Sequence, residues 1–287
     1  MTTVGTLYLI STPIGNLGDM TRRAEQSLRE SDVILAEDTR RTRVLLDHYA
    51  IEPRSLKSFH KHNEAARTAE ARTALVAGRK VSLVADSGTP LISDPGLRLV
   101  RAAIDVGARV VPVPGPSAAL AALVGSGLEA QPFTFFAFLP RSGRGRRELL
   151  DQLTELRHTA VLFESPQRLT RTLEELAGRL GPERGVVVAR ELTKIHEEFV
   201  RGTLQEVAAY YNEHTPLGEV VVCLAGAPEA DAEAVEDAAR ELARALAGEG
   251  ATSKEIVRAL RERHGLERNR AYAIALELTR RTETEEA

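Results

Sequence analysis

Along the first 125 residues, short apolar runs alternate with segments whose apolar positions recur every three or four residues. Residues 6–11, 33–36, 80–85 and 109–113 have strand composition, and residues 21–29, 39–48 and 118–124 have helix composition. Asp94-Pro95 has the form of a helix start, with Asp as N-cap and Pro at the first helical position. That helix is expected to run to Val106 and stop at Gly107. Ser117, after Pro114-Gly115-Pro116, is the expected N-cap of the next helix. Strand, loop and helix repeated in this way predict an α/β fold on a parallel or mixed sheet.

The pattern resets around residues 125–132. Residues 133–139, 159–163 and 219–225 then read as strands, and 186–191 with 195–201 as a candidate strand pair. Residues 140–147 read as a Gly/Arg-rich loop and 147–156 as a helix. Ser165-Pro166 opens a helix that ends at Gly181, and Thr203-Leu204-Gln205-Glu206 has capping-box spacing. From Pro228 the composition turns to Ala, Glu and Arg. Three short helices (235–247, 252–263 and 267–279) are expected there, with Ile256, Leu260, Ile274 and Leu278 as a small core and 280–287 as a frayed tail. Tight Gly turns make this segment helix-turn-helix-like, or equally a capping or oligomerisation bundle. The expected organisation is an α/β domain over 1–125, a second over 126–228, and a helical extension over 229–287.

Composition narrows the function classes. The net charge of −3, from 38 basic and 41 acidic side chains, leaves any nucleic-acid role to local basic patches. A 43% hydrophobic share excludes wholesale disorder. The single cysteine, Cys223 in an apolar run, excludes a disulfide framework and a Cys-based zinc site. No stretch suits a membrane span, and residues 1–5 lack signal-peptide character, so a soluble cytoplasmic protein is expected. Only five of the basic residues are lysine. The arginine excess reads as composition bias of GC-rich coding, so only clustered arginines carry weight.

Four polar loops, 11–16, 37–41, 86–90 and 114–117, follow predicted strands. Ligands bind at the carboxyl ends of strands in open α/β sheets, so four such loops on one edge point to a small-molecule site. Gly15, Gly88 and Gly115 would let the backbone approach a ligand. A P-loop is absent, and the one G-x-G-x-x-A match, at Gly125, follows a helix instead of a strand. His60-Lys61-His62 lacks partners at ligand spacing, so no metal is expected. Two clusters combine acids and bases after predicted strands: Glu37-Asp38-Thr39-Arg40-Arg41 and Arg190-Glu191-Leu192-Thr193-Lys194. The 141–147 loop carries Arg141, Arg144, Arg146 and Arg147 with no acid before Glu148, which suits a phosphate grip.

Together these segments resemble one family. Leu7-Tyr8-Leu9-Ile10-Ser11-Thr12-Pro13-Ile14-Gly15-Asn16-Leu17, Ala36-Glu37-Asp38-Thr39-Arg40, Ala85-Asp86-Ser87-Gly88-Thr89-Pro90-Leu91-Ile92-Ser93-Asp94-Pro95-Gly96 and Pro114-Gly115-Pro116-Ser117-Ala118 are similar to the tetrapyrrole-methylase-type (class III) methyltransferases. Glu164-Ser165-Pro166-Gln167-Arg168 and Arg190-Glu191-Leu192-Thr193-Lys194 resemble the branch that acts on bacterial small-subunit ribosomal RNA. The match spans residues 5–226, and the terminal helices resemble that branch's extension.

The resemblance implies two α/β domains with S-adenosylmethionine (AdoMet) in the cleft between them, usually in a homodimer. It implies 2′-O-methylation of a cytidine ribose in the decoding centre of 16S rRNA. Corrin and porphyrin relatives carry Gly-x-Gly-Pro-Gly-Asp-Pro in the first loop, and residues 12–19 depart from it, away from tetrapyrroles. Pro13, Gly15, Asp86, Gly88, Thr89, Ser117 and Ala118 are then expected around AdoMet, with Phe163 and Val221 as an apolar wall for adenine. Glu37, Asp38, Glu191 and Lys194 are expected on the acceptor side, with Lys194 at a lowered pKa, or a carboxylate, taking the proton. Arg40, Arg41 and Arg190 would hold phosphates or the methionine carboxylate. Arg141, Arg144, Arg146 and Arg147, with Arg268, Asn269 and Arg270 on the last helix, would hold RNA backbone. The rivals are a corrin or porphyrin methyltransferase and a non-catalytic RNA-binding protein.

Overall fold

The computed structural model describes residues 4–228, 232–264 and 266–285. Its elements run β1 (Thr6–Ile10), α1 (Arg22–Glu30), β2 (Val33–Ala36), α2 (Thr39–His48), β3 (Leu56–Ser58), α3 (Glu64–Val76), β4 (Lys80–Val84), α4 (Leu97–Asp105), β5 (Arg109–Val113) and α5 (Ala118–Ser126). They continue with β6 (Phe133–Phe138), α6 (Arg144–Glu155), β7 (Thr159–Glu164), α7 (Pro166–Leu180), β8 (Gly185–Arg190), β9 (Glu198–Thr203), α8 (Leu204–Glu213) and β10 (Val220–Leu224). Residues up to Ala227 form one compact unit and those from Pro228 a second.

The first sheet has the order β3-β2-β4-β1-β5 and is parallel throughout. Both faces are covered, as buried parallel sheets require. Leu7, Leu35, Val81 and Leu83 pack with Ala71 and Leu75 of α3 and Leu99 and Ala103 of α4. Ile10, Ile34 and Val84 pack with Ala24 and Leu28 of α1 and Leu46 of α2. All strands run the same way, so every loop after a strand emerges on one edge.

The second sheet, β6-β7-β10-β8-β9, is mixed: β6 and β7 are parallel and the other pairs antiparallel. Alternate residues face opposite layers, following the period of two. Ala160, Leu162, Val186, Val188, Val220 and Val222 face the core formed with α6, α7 and α8. Val161, Val187, Ala189, Val221 and Cys223 face Ala119, Ala122 and Leu123 of α5 and Ile14 of the β1 loop. Helix α5 therefore packs on the second sheet. Burial pushes the Cys223 thiol up to about 12, which keeps it un-ionised.

Three expectations are corrected. The helix after residue 94 starts at Leu97 and not at Pro95. Gly96 takes φ +142°, where a Cβ would lie 2.8 Å from the Leu83 side chain, and its N–H donates to Glu64. That tight turn frees Asp94 from capping. Helix α6 begins at Arg144, so Arg144, Arg146 and Arg147 lie in its first turn and not in a loop. Strand β9 begins at Glu198, because residues 191–197 form a hydrogen-bonded arch. The short strand β3 and helix α3 were not foreseen. The capping box at Thr203 is present as expected.

The C-terminal unit holds α9 (Ala232–Gly248), α10 (Ser253–His264) and α11 (Arg268–Glu285). Ala239, Ala243, Ile256, Leu260, Ala271, Ile274 and Ala275 form its core. Leu278, also expected in this core, lies in α11 but outside the residues whose side chains are described. The helix runs to Glu285 where a frayed tail was expected from residue 280. No helix among the described residues is long and apolar enough to cross a membrane.

Candidate active site

The loops at the carboxyl edge of the parallel sheet are tied to one another. Thr12 and Gly88 exchange backbone hydrogen bonds of 2.9 and 3.1 Å. The Thr89 hydroxyl donates to the Pro116 carbonyl at 3.1 Å and lies 3.1 Å from the Ser11 hydroxyl. Asp86 accepts from the Asp38 backbone N–H at 2.8 Å. Ser117 caps α5, accepting from Leu120 N–H at 3.5 Å. These bonds fix the edge without using outside groups.

Facing that edge, the second sheet closes a cavity of about 430 Å³, within the roughly 300–1,000 Å³ typical of small-ligand sites. One wall is apolar: Ile14, Phe138, Phe163 and Val221. The Phe163 ring meets Phe138 edge-to-face at 5.4 Å and Phe135 at 4.9 Å. The loops of the parallel sheet bring Glu37, Asp86 and Asp94 to the cavity, with Arg41 the cation among them, and the second sheet adds Glu164 and Glu219. Burial first, then the charges of Glu37 and Asp86, push the Asp94 carboxyl up to about 6. Glu164 is fully buried and accepts from Ser165 N–H, Arg168 and Thr172.

Of the expected cofactor residues, Asp86, Gly88, Thr89, Ser117, Ala118, Phe163 and Val221 line this cavity. Pro13 and Gly15 line a smaller adjoining cavity of about 170 Å³ with Arg41 and Asp86. Of the expected acceptor residues, Glu37 lines the main cavity. Asp38 caps α2, accepting from Arg40 N–H at 2.9 Å and pairing with the Arg40 guanidinium at 2.6 Å. Arg40 hydrogen bonding holds the Asp38 carboxyl well below the usual carboxylate range.

Glu191 and Lys194 sit in the arch after β8. The Lys194 ammonium donates to Glu191 at 2.7 Å and to Glu219 at 3.1 Å. Burial works to lower its pKa, but the hydrogen bonds it donates to the two carboxylates outweigh it and raise the value. The expected lowered pKa is thus corrected: Lys194 is held as a cation. The Lys194 bond in turn holds the Glu191 carboxyl below its ordinary value. Gly15 and Gly218 make this fit possible. A Cβ on Gly15 would lie 2.4 Å from the Lys194 stem, and one on Gly218 (φ +83°) 2.1 Å from the Glu191 carboxylate. The arch and the first loop interlock across the two sheets.

The expected phosphate holders divide. Arg41 lies 3.8 Å from Asp86. Arg190 pairs with Glu198 at 2.9 Å, away from the cavity. Arg146 is buried against Glu175 at 2.6 Å and donates to the Pro140 carbonyl, so it braces the fold and does not reach solvent RNA. Arg144 pairs with Glu148 at 2.6 Å, while Arg141 and Arg147 line a separate cavity. Arg268 borders a groove between α10 and α11, and Arg270 pairs with Glu236. Sequence reasoning missed Asp94, Glu164, Phe138 and Glu219. The Asp94-Pro95 signal reads as a cap, Glu164 enters only as part of a family motif beside the helix start Ser165-Pro166, and Phe138 and Glu219 fall inside or at the start of expected strands, where nothing marks a ligand-facing side chain.

A parallel sheet whose strand ends open on a cavity closed by a mixed sheet is the architecture of the class III methyltransferases. The chain belongs to the tetrapyrrole (corrin/porphyrin) methylase family, whose model matches residues 6–208; its members are AdoMet-dependent methyltransferases. A Synechocystis relative named ribosomal RNA small subunit methyltransferase I is 46% identical over 96% of this chain and 99% of its own. A Bacillus subtilis relative of the same name is 40% identical over 89% of this chain and 88% of its own. The fold is similar to the methyltransferase CobJ (TM-score 0.59, 21% identity, 78% of this chain and 95% of that one). It is also similar to Thermus thermophilus uroporphyrin-III C-methyltransferase complexed with S-adenosylhomocysteine (TM-score 0.56, 20% identity, 77% and 97%).

The cavity suits that methyl donor. An aromatic and aliphatic wall matches adenine, and an acidic wall favours a sulfonium cation.

Proposed function

We propose that this chain methylates the 2′-oxygen of a cytidine ribose in the decoding centre of 16S rRNA, using AdoMet as donor. The observation that carries the reading is near-full-length identity with relatives named for small-subunit ribosomal RNA methylation. When bound, AdoMet supplies an electrophilic methyl carbon on a sulfonium centre. The chain's own residues then have three tasks. Phe138, Phe163 and Val221 exclude water and give adenine an apolar face. The ordered loops hold donor and acceptor in line, and alignment of this kind accounts for a large part of such rate enhancements.

The third task is proton removal. Asp94, facing Glu37 and Asp86 in the cavity, accepts the ribose hydroxyl proton. A carboxyl raised toward neutrality is a better base than an ordinary one, and general-base help is worth roughly 10²–10⁴-fold. Lys194 stays protonated and pairs with Glu191 and with Glu219, which lines the cavity. The protein works in the bacterial cytoplasm as a homodimer, with the small ribosomal subunit or its RNA as partner.

The test is methyl transfer from labelled AdoMet to small ribosomal subunits lacking the modification, followed by nucleoside analysis. Label on a cytidine 2′-oxygen supports the reading. Label on a base or none, with AdoMet still bound, rejects the acceptor assignment.

A further inference from the structure

A second cavity, of about 350 Å³, opens between the first turn of α6 and one face of α7. Its origin is a polar stripe on α7. Leu169, Leu173 and Leu176 point into the core, and Arg168, Arg171, Thr172, Glu175 and Arg179 follow at spacings that line the adjoining face of the helix. The first turn of α6 adds Arg146 and Arg147, and the loop before it adds Arg141. Three of these guanidinia are neutralised: Arg146 by Glu175, Arg168 by Glu164 and Arg179 by Asp151. Arg141, Arg147 and Arg171 make no ion pair among the described residues, and all three are exposed.

Three uncompensated cations converging on one concavity repel one another. An anion with several oxygens relieves that, and the guanidinium fork fits phosphate in particular. The basin also connects to the active site. Arg146 donates to the Thr172 hydroxyl, Thr172 donates to Glu164, and Arg168 donates to the same Glu164 carboxylate and to the Leu139 carbonyl. Glu164 lines the main cavity. A group held in the basin is therefore registered, through buried hydrogen bonds, to the site of methyl transfer.

We propose that this basin binds backbone phosphodiesters of the RNA substrate through Arg141, Arg147 and Arg171, beside the nucleotide being modified. The inference rests on the RNA reading above and adds a site that the arginine-rich turn alone does not define, because Arg171 lies on α7. Arg146 is part of the frame and not of the grip.

The experiment compares the full chain with the R147E/R171E double variant and with R101E, an exposed arginine on α4 that lines neither cavity. Each is tested for binding to undermethylated small subunits and to a labelled 12-nucleotide uridine oligomer over a salt series, with inorganic phosphate as competitor, and for AdoMet binding by calorimetry. The double variant is expected to weaken both RNA probes at least tenfold. It should also lower the log–log salt slope by about one per arginine removed. R101E should match wild type, and AdoMet binding should be unchanged in all three. Free phosphate should compete only at millimolar concentration; tight phosphate binding without oligomer binding would overturn the phosphodiester assignment. Equal affinity and equal slope in wild type and double variant would overturn the basin. Failure of methyl transfer alongside a double variant that still loses oligomer binding would reject the ribosomal acceptor and keep the basin.

Discussion

The two sheets build the same cavity by different means. The parallel sheet gives its loops: every strand ends on one edge, and the turns after β1, β2, β4 and β5 carry the polar groups, tied together by Thr12–Gly88, Ser11–Thr89 and Asp38–Asp86 contacts. The mixed sheet gives its face. Phe163 and Val221 lie within strands or at their ends and reach the cavity because the period of two turns them toward it. One side supplies charge and hydrogen bonding, the other an apolar wall and a single buried carboxylate, Glu164. A site that must hold a sulfonium cation and an aromatic base together benefits from that division, and the one carboxylate buried on the mixed sheet, Glu164, is paired with Arg168.

The charged side should fail hardest when broken. Asp94→Asn keeps the shape and removes the proton acceptor, so turnover should fall by about 10²–10⁴-fold while AdoMet still binds. In wild type, kcat/KM with AdoMet varied should rise with pH through an inflection near 6, the value to which Asp94 is raised. The same shift governs stability with the opposite consequence. Between the unfolded value of 3.8 and the folded value of about 6, the native state binds more protons than the unfolded chain. Stability therefore declines as pH rises through that window and levels off above it. At pH 8 the Asp94→Asn protein should melt no lower than wild type although it is nearly inactive. A variant that loses activity and melting temperature together would make Asp94 a structural residue.

The apolar side should fail in binding and not in chemistry. Phe163→Ala removes an aromatic face of the kind worth roughly 1–3 kcal/mol against a nucleobase, so calorimetry should show AdoMet affinity falling about tenfold or more. Saturating AdoMet should restore most of kcat. A kcat loss that saturation does not recover would place Phe163 nearer the reacting atoms than a wall.

This division also explains what was legible in the sequence. Loops at strand ends announce themselves by Gly, Pro, Asp and Ser, and Asp86, Gly88, Thr89 and Ser117, expected around AdoMet, line the cavity. Phe163 and Val221 were named from position after the resemblance, since inside apolar runs nothing marks which face meets a ligand. Asp94 was visible but misread. Asp-Pro carries a strong cap signal, and only the Gly96 turn, set by packing on Leu83 and by the distant Glu64, diverts it into the cavity. Lys194 and Glu191 are expected on the acceptor side from the resemblance and from their place after a predicted strand. Their mutual 2.7 Å pair, which tertiary contact alone creates, commits them to each other. Arg146 and Arg147 are adjacent in sequence yet one is buried and paired and the other free, a distinction fixed by where α6 begins.

The joint between the sheets offers an intermediate test. Gly15→Ala would put a Cβ 2.4 Å from the Lys194 stem. The long side chain can shift, at a cost near the lower end of the roughly 1–3 kcal/mol typical of overpacking. Turnover should fall severalfold as Lys194 leaves Glu191 and Glu219, and Gly15→Ala combined with Lys194→Ala should lose less than the two single effects together. Strict additivity would mean the stem and Gly15 do not interlock.

The smallest effect separates capping from chemistry within one charged cluster. Asp38 lies one residue from Glu37, but its carboxylate accepts from the α2 backbone and grips Arg40, whose guanidinium is largely exposed. Removing a cap of this type costs about 0.5–2 kcal/mol. Asp38→Ala should therefore lower the melting temperature by a few degrees, Asp38→Asn should recover most of that because Asn also caps, and both should keep turnover within about twofold of wild type, since the backbone N–H of residue 38 still donates to Asp86. Glu37→Gln at the neighbouring position should behave in reverse, with stability held and turnover reduced, because its carboxylate faces Asp94 in the cavity and helps hold the proton there. If instead Asp38→Asn proves inactive while folded, the cap carries a second task, and the boundary drawn between frame and chemistry at α2 would have to move one residue along the chain.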